Sequence, residues 1–323
     1  KVSNAELLFS SCLAMHGGLV AKVLLLGLAA GEWRPTALEH REGDVSAQVP
    51  AQVDGNPHCW SGAFSFEECC GDPEGACWDG EYTYERCCFR RLETVFSPRS
   101  GKDKLQDLNS LYSAGLVKAY PEFFAFLVRQ LGLTGTAVEL GVQDGSFSGR
   151  FLKETNMSRY YAVDIWMSLD RYSDRANVAN EEHVERMEKA LRRLRPFWPR
   201  VRIVQEFTST AAALISDRSV DFLFVDAAHD YCSVSEDLVA FWVKMKPGGI
   251  LSGHDYMTQD DVEAAGPQLA GQRWDRCRNG TVHRGAVKQA VLDFASAVQM
   301  KVYSTNDLFV DMPPSWFMQK LVW

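Results

Sequence analysis

Two short segments combine carboxylate and imidazole side chains at a spacing suited to proton transfer or metal binding. Asp226 and His229 form an Asp-x-x-His sequence directly after the apolar run Val220–Val225, and the pair His254-Asp255 follows a second apolar run. Because open α/β sheets carry their ligands at the carboxyl ends of their strands, we expect both loops to converge. An imidazole titrates in the range in which a general base works, so His229 is the candidate base. Asp226 would orient the reacting group or hold a metal.

A second constellation surrounds a glycine turn. The sequence Glu139-x-Gly141-x3-Gly145 joins a predicted strand to a predicted helix, and Asp164 ends the next strand. Glycine lets the backbone approach a ligand closely, and the free N–H groups of the helix start favour a carboxylate. An acid at the position of Asp164 can accept both hydroxyls of a ribose. The two features predict a nucleoside ligand, and the absence of Gly-x-Gly-x-x-Gly disfavours a nicotinamide dinucleotide.

The elements that must position these residues alternate between short apolar strands and amphipathic helices. The strands are predicted at Thr136–Leu140, Tyr160–Ile165, Arg202–Gln205, Asp221–Val225 and Gly249–Leu251. The helices are predicted at Leu105–Leu116, Glu122–Leu131, Phe147–Glu154, Glu181–Leu194 and Ser233–Met245. This alternation predicts an α/β domain over residues 102–323, with a Rossmann-like, doubly wound, mostly parallel sheet.

These segments resemble class I methyltransferases, and most closely the group of macrocin-type sugar O-methyltransferases and cephalosporin-hydroxylase-like proteins. The resemblance runs from Val138 to Lys320 and includes the glycine turn, Ala162-Val163-Asp164, the Asp226-x-x-His229 loop, Lys246-Pro247-Gly248-Gly249, Gly253-His254-Asp255-Tyr256, Gly285-Ala286-Val287-Lys288 and Pro314-Ser315-Trp316-Phe317. It implies S-adenosylmethionine as the cofactor. It also implies Glu139, Gly141, Gly145 and Asp164 as cofactor contacts, and Ser209, after the third strand, as an adenine contact.

The resemblance further implies a metal centre with one departure. In metal-dependent members, the acid matching Asp226 and two adjacent acids bind Mg²⁺, and the residue matching His229 is the general base. Here the adjacent pair is His254-Asp255, so an imidazole replaces one carboxylate and makes the site softer. Asp226, His254 and Asp255 are thus the predicted ligands. Mg²⁺ with fewer protein ligands, Mn²⁺ and a site without metal all stay open.

The N-terminal part predicts a disulfide-rich module over residues 58–92. The pattern C-x9-CC begins at Cys59 and again at Cys77, and the aromatic and glycine residues repeat with the same shift. Dense cysteines without separated C-x-x-C pairs favour disulfides over zinc, and hence an oxidising compartment, although the pairing stays open. The repeats resemble CW-x-G-x-F…CC units of predicted microalgal proteins, which implies no activity.

A hydrophobic segment occupies residues 1–31, and a Gly- and Pro-rich linker is predicted at 32–57. The apolar stretch Ala5–Ala30 is long enough to cross a bilayer, but Lys22 interrupts it, so membrane contact and packing on its own domain both stay open. We expect membrane association in the secretory pathway or at a plastid thylakoid. The net charge of −8 predicts no nucleic-acid partner.

Two functions of different class follow. The first is S-adenosylmethionine-dependent O-methylation of a sugar or a small hydroxylated metabolite, with acceptor specificity expected in Trp166–Asn180 and Met257–Arg284. The alternative is a non-catalytic, methyltransferase-fold subunit of a membrane complex, such as a photosynthetic one, since His254 departs from the pattern and residues 1–92 add non-catalytic parts. A hydroxylase-like relative with a redox metal is a third hypothesis. For Cys232 and Cys277, a disulfide and two buried thiols both stay open.

Overall fold

The computed structural model describes residues 122–305 and 313–321, together with Cys69, Cys77, Trp78, Cys87, Cys88 and Leu92. The predicted segments 1–31 and 32–57, the helix Leu105–Leu116 and most of the cysteine-rich module lie outside the described residues. All described residues belong to one of the two units of the chain, Val53–Trp323.

The described elements alternate as the sequence predicts. The strands are β1 Thr136–Leu140, β2 Arg159–Asp164, β3 Val201–Gln205, β4 Val220–Val225, β5 Met245–Gly253, β6 Tyr303–Ser304 and β7 Trp316–Gln319. The α-helices are α1 Glu122–Gln130, α2 Ser146–Glu154, α3 Asn180–Leu194, α4 Thr208–Ala211, α5 Tyr231–Trp242, α6 Gln259–Ala264 and α7 Ala286–Ala297. Short 3-10 turns lie at Arg195–Phe197, Ala212–Leu214 and Gly266–Gln268.

The seven strands form one sheet in the order β3-β2-β1-β4-β5-β7-β6. Strands β1 to β5 pair in parallel, and β7 runs antiparallel to both β5 and β6. The predicted Rossmann-like α/β fold is therefore confirmed. The strand order reverses between β1 and β4, and ligands of such sheets bind outside the strands at this switch point.

Both faces of the sheet are buried, which explains why β4 is apolar at every residue except Asp221. Phe222 and Phe224 point to one face, where Phe147 of α2 stacks on Phe224 with ring centroids 3.9 Å apart. Leu223 and Val225 point to the other face and pack with the residues of α5 and α7. Because α2 begins right after the glycine turn, the packing of Phe147 fixes where that turn lies.

Two parts of the sheet differ from the sequence prediction. Helix α5 ends at Trp242, so the prediction of helix up to Met245 is wrong there; Met245 instead starts β5 and pairs with Val220. Strands β6 and β7 were not predicted, because they are short and lack alternation. Their pairing depends on tertiary contact: a Cβ on Gly253 would lie 2.7 Å from Trp316 Cζ2, so glycine allows β7 to lie against β5.

Disulfides join distant parts of the chain. Cys232, at the start of α5, bonds to Cys277 in the loop after α6. Of the two alternatives for this pair, a disulfide and two buried thiols, the structure has the disulfide. Cys69 bonds to Cys77, and Cys87 and Cys88 are also disulfide-bonded. Across the described part of the chain, no helix has the length and apolar character needed to span a membrane.

We expect the Cys232–Cys277 bond to stabilise the domain by restricting the unfolded chain. The two residues are 45 positions apart, and a bridge of this kind contributes about 2–4 kcal/mol. The double variant Cys232→Ala/Cys277→Ala should lose this amount in denaturant unfolding. The matched control is Cys69→Ala/Cys77→Ala, which opens a loop with a separation of only 8 and should cost less. Equal stability of the wild type and the first variant would contradict the expectation.

Candidate active site

A cavity of about 350 Å³ opens at the carboxyl ends of β1, β2, β4 and β5. Eight of the nine residues that the sequence singles out line this cavity: Glu139, Gly141, Asp164, Ser209, Asp226, His229, His254 and Asp255. Gly145 is not among the lining residues. The topology thus brings the two predicted constellations into one site, with Ser209 exposed on α4 at its edge.

The glycine turn is shaped by its contact with the loop after β4. Gly141 has a φ of +86°, and a Cβ there would lie 2.0 Å from the carbonyl oxygen of Asp226. The amide of Asp226 also donates to the Leu140 carbonyl, at 2.7 Å. Gly145, with a φ of +76°, instead faces α3, where a Cβ would lie 3.0 Å from Ala190 Cα. Gly145 therefore serves the packing of two helices.

Asp164 braces the glycine turn from the end of β2. Its Oδ2 accepts hydrogen bonds from the amides of Val142 and Gln143, at 2.9 and 2.8 Å. Its Oδ1 accepts from the amide of Trp166, at 2.7 Å. Oδ2 already accepts two bonds, whereas Oδ1 accepts one and can accept a second, so binding of a ribose hydroxyl by Asp164 stays a prediction.

The centre of the cavity contains an imidazole surrounded by carboxylates. His229 Nε2 lies 3.0 Å from Asp255 Oδ2 and 3.5 Å from Asp226 Oδ1. Asp230 places His229 by capping the start of α5, where its side chain accepts from the amides of Cys232 and Ser233. Asp255 adopts a left-handed backbone, with a φ of +54°, directly after β5.

Three residues of this site were missed by the sequence reasoning, because no motif marks them within the two long loops. Asp174 Oδ2 lies 2.9 Å from His229 Nδ1 and accepts a hydrogen bond from Trp274 Nε1, at 2.7 Å. The hydroxyl of Tyr172 accepts from the amide of His229, at 3.1 Å. Both loops had been expected to govern acceptor specificity, and the structure places both against His229.

Residues 138–256 match the family model described as "Methyltransferase domain". Over this range the chain matches a methyltransferase domain. The matched range begins in β1 and ends just after Asp255, so it includes every residue of the site described so far except Trp274.

Solved structures with a similar course of the chain include three O-methyltransferases. The enzyme from Bacillus cereus, in complex with SAH, is 12% identical, with 71% of this chain and 96% of that chain covered and a TM-score of 0.40. TomG from Streptomyces achromogenes, in complex with SAM, is 14% identical, with coverages of 71% and 94% and a TM-score of 0.41. A putative caffeoyl-CoA O-methyltransferase from Staphylococcus aureus is 14% identical, with coverages of 68% and 93% and a TM-score of 0.41. No curated protein matches the chain.

The charges in the methyltransferase domain decide the protonation of His229. Burial alone would lower the pKa of His229, but Tyr172, Asp255 and Asp174 raise it well above its usual value. Burial would likewise raise the pKa of Asp255, yet His229 and His254 hold it below its usual range. The acids around His229 therefore favour the protonated form of its ring.

The same atoms fit a divalent cation. The ligand atoms of Asp226, His229 and Asp255 all lie within 4.8 Å of one another. His229 Nε2 is buried and makes no well-directed hydrogen bond, although two carboxylates approach it. His254, one of the three predicted ligands, lies outside this group, with its Nδ1 3.5 Å from Asp255 Oδ1. His254 directly follows the last residue of β5 and lines the same cavity.

The acid at the start of the methyltransferase motif is not a charged group at neutral pH. Burial raises the pKa of Glu139 to about 8, and the hydrogen bond that Tyr160 donates to it, at 2.9 Å, opposes this only in part. A raised folded-state pKa means that the protonated form stabilises the fold. This contribution is complete below pH 4.5 and disappears as the pH rises to about 8.

We therefore expect Glu139→Gln to gain stability relative to the wild type as the pH rises. The difference in unfolding free energy should change by about 1.4 kcal/mol for each pH unit between the two pKa values, because only the wild type must bury a charge. Denaturant unfolding at pH 5, 6.5 and 8 measures it. Glu181→Gln, at an exposed position of α3, is the control and should show a nearly constant difference. A constant difference for Glu139→Gln would show that this carboxyl does not titrate as described.

Proposed function

We propose that the protein methylates a hydroxyl group of a sugar or a small hydroxylated metabolite, with S-adenosylmethionine as the methyl donor. The observation that carries this proposal is the cluster of Asp226, His229 and Asp255 in the same cavity as the glycine turn. A hydroxyl is a weak nucleophile at neutral pH, and this cluster offers both a base and carboxylates to activate it.

The cofactor half of the cavity suits a positively charged nucleoside. The carboxylate of Asp164 lines this half and Asp226 lies where the two halves meet, and the whole cavity, of about 350 Å³, lies in the range of small-molecule sites. The backbone at Gly141 approaches the loop after β4 so closely that no side chain intrudes. S-adenosylmethionine would supply an electrophilic methyl group there, and the transfer of this group to oxygen removes the positive charge from sulfur.

His229 is the proton acceptor in this proposal. Its Nδ1 is bound by Asp174, so Nε2 is the nitrogen that faces the cavity and can receive the hydroxyl proton. The acceptor oxygen then forms a bond to the methyl carbon while the carbon–sulfur bond breaks. Little new charge develops in this step, so positioning of the two reactants is the main contribution of the protein.

A divalent cation on Asp226 and Asp255 would neutralise the carboxylates beside Nε2 and polarise the acceptor hydroxyl. The oxygen-rich set favours Mg²⁺ or Mn²⁺ over softer metals.

The first experiment is calorimetric titration with S-adenosylhomocysteine, for which we expect binding at micromolar concentrations. Transfer of a labelled methyl group from S-adenosylmethionine to a panel of sugars and hydroxylated metabolites follows, with Mg²⁺, with Mn²⁺ and with chelator. Chelator should abolish transfer, and either metal should restore it. Transfer that is insensitive to chelator would support the proposed methyltransferase activity but contradict a role for a metal in it.

His229→Asn should lower kcat by about 100-fold or more, since it removes the base, while the affinity for S-adenosylhomocysteine stays within about threefold. His283→Asn is the matched control, because His283 stacks on Tyr231 and is not among the residues that line the cavity. Absence of binding at high micromolar S-adenosylhomocysteine would overturn the proposal and favour the accessory-subunit alternative.

We also propose that the domain resides in an oxidising compartment. Every cysteine among the described residues is disulfide-bonded, in line with the predicted secretory or thylakoid location. Rapid acid quenching of source cells, alkylation and mass spectrometry should find Cys232 and Cys277 protected from the alkylating reagent. Alkylation of both in unreduced extracts would place the protein in a reducing compartment.

A further inference from the structure

Asp174 contacts Nδ1 of His229, yet no step of the proposed reaction uses Asp174 directly. Its side chain is only 2% exposed, and its carboxylate accepts three hydrogen bonds or close polar contacts. Oδ2 lies 2.9 Å from His229 Nδ1 and accepts a hydrogen bond from Trp274 Nε1, at 2.7 Å. Oδ1 accepts a hydrogen bond from the amide of Ala176, at 2.7 Å. Burial alone would raise the pKa of Asp174, but His229 and the hydrogen bonds hold it below its usual value. A buried carboxylate that stays charged requires such partners.

We propose that Asp174 is a positioning residue, which holds the His229 ring so that Nδ1 carries a proton and Nε2 faces the cavity. The proposal rests on the proposed function for its catalytic consequence, but the state of the ring can be observed independently. Because an imidazole nitrogen that donates to a carboxylate keeps its proton, the opposite nitrogen is left as the acceptor. Without this contact the ring can rotate or exchange the two nitrogens.

The loop that carries Asp174 is ordered by its own hydrogen bonds. The side chain of Asn177 donates to the carbonyls of Leu169 and Tyr172 and accepts from the amide of Leu169, each at 2.8 Å. These bonds close the segment from Leu169 to Asn177 on itself. Tyr172, two positions before Asp174, accepts from the backbone amide of His229. One preformed loop therefore contacts both the backbone and the ring of His229.

The second long loop, Met257–Arg284, also helps to hold Asp174 and His229 in place, through Trp274. This indole is 1% exposed, donates to Asp174, and lies with its ring centroid 4.7 Å from that of His229. The two loops are joined by the backbone bond from Arg273 to the Ser173 carbonyl, at 3.0 Å, and by a bond from the Arg175 amide to Gln272, at 3.2 Å. The Asp174 carboxylate is thus the point at which both loops act on the base.

The test uses Asp174→Asn in the full chain with bound S-adenosylhomocysteine as the probe. Asparagine keeps the shape, but its amide can donate to Nδ1 and so favour the tautomer with the proton on Nε2. In protein labelled with ¹⁵N-histidine, we expect the hydrogen-bonded Nδ1–H resonance of His229 to disappear. With an acceptor that the wild type methylates, kcat should fall by about 100-fold while the KM for S-adenosylmethionine changes less than threefold.

Asp170→Asn is the matched control, because it removes the same charge from an exposed position of the same loop. It should leave both the resonance and kcat unchanged. Trp274→Phe removes only the second hydrogen bond to Asp174 and should lower kcat by a smaller factor with the Nδ1–H resonance retained. Asp174→Glu, which keeps a carboxylate, should restore part of the kcat lost in Asp174→Asn.

Two results would overturn the positioning role. One is an Asp174→Asn protein that retains both the resonance and full turnover. The other is a parallel loss of S-adenosylhomocysteine affinity and thermal stability, which indicates a merely structural residue. These results differ from a failure of the proposed function, in which the wild type itself transfers no methyl group to any acceptor while the resonance still reports the state of the ring.

Discussion

The site depends on the close approach of two loops at the point where the strand order reverses. The backbone at Gly141 and the carbonyl of Asp226 are so near that a Cβ at position 141 would overlap the carbonyl oxygen. This contact closes the gap between the ends of β1 and β4 and fixes the distance between the two halves of the cavity. The residues proposed to bind the cofactor belong to the β1 and β2 side, and Asp226 and His229 belong to the β4 side. In the proposed reaction, a displaced turn would therefore separate the methyl donor from the base, even with every polar side chain in place.

Electrostatics adds a second condition. Asp174, Asp226 and Asp255 surround one buried imidazole, and such a group of anions is stable only when positive charge lies among them. The raised pKa of His229 is consistent with these acids favouring the protonated ring. A protonated ring cannot accept a proton. In the proposed reaction, positive charge from the cofactor or a metal would take over the balancing role and free Nε2 to act as the base.

The part of this arrangement that the sequence could predict is the part determined by strand ends. Asp164, Asp226 and Asp255 each follow an apolar run, and parallel topology then brings them together. The finer choices could not be predicted in this way. His229 rather than His254 joins the two acids, and no spacing rule distinguishes these two imidazoles. The role of Gly145 in helix packing depends on Ala190, which is distant in sequence.

The contacts of Asp174 are the part of the site that the sequence could predict least. Its partner His229 is 55 positions away and Trp274 is 100 positions away, and both contacts arise from irregular loops. Nothing periodic marks such residues, since loops have neither a helical nor a strand repeat. The disulfide between Cys232 and Cys277 anchors the Trp274 loop to α5, directly after the Asp226–Asp230 segment. The side of the cavity proposed to bind the acceptor is thus built by long-range links, whereas the side proposed to bind the cofactor is built by the sheet. Under this proposal, the loops can change to accept another substrate only within the limits that the Asp174–His229 contact imposes.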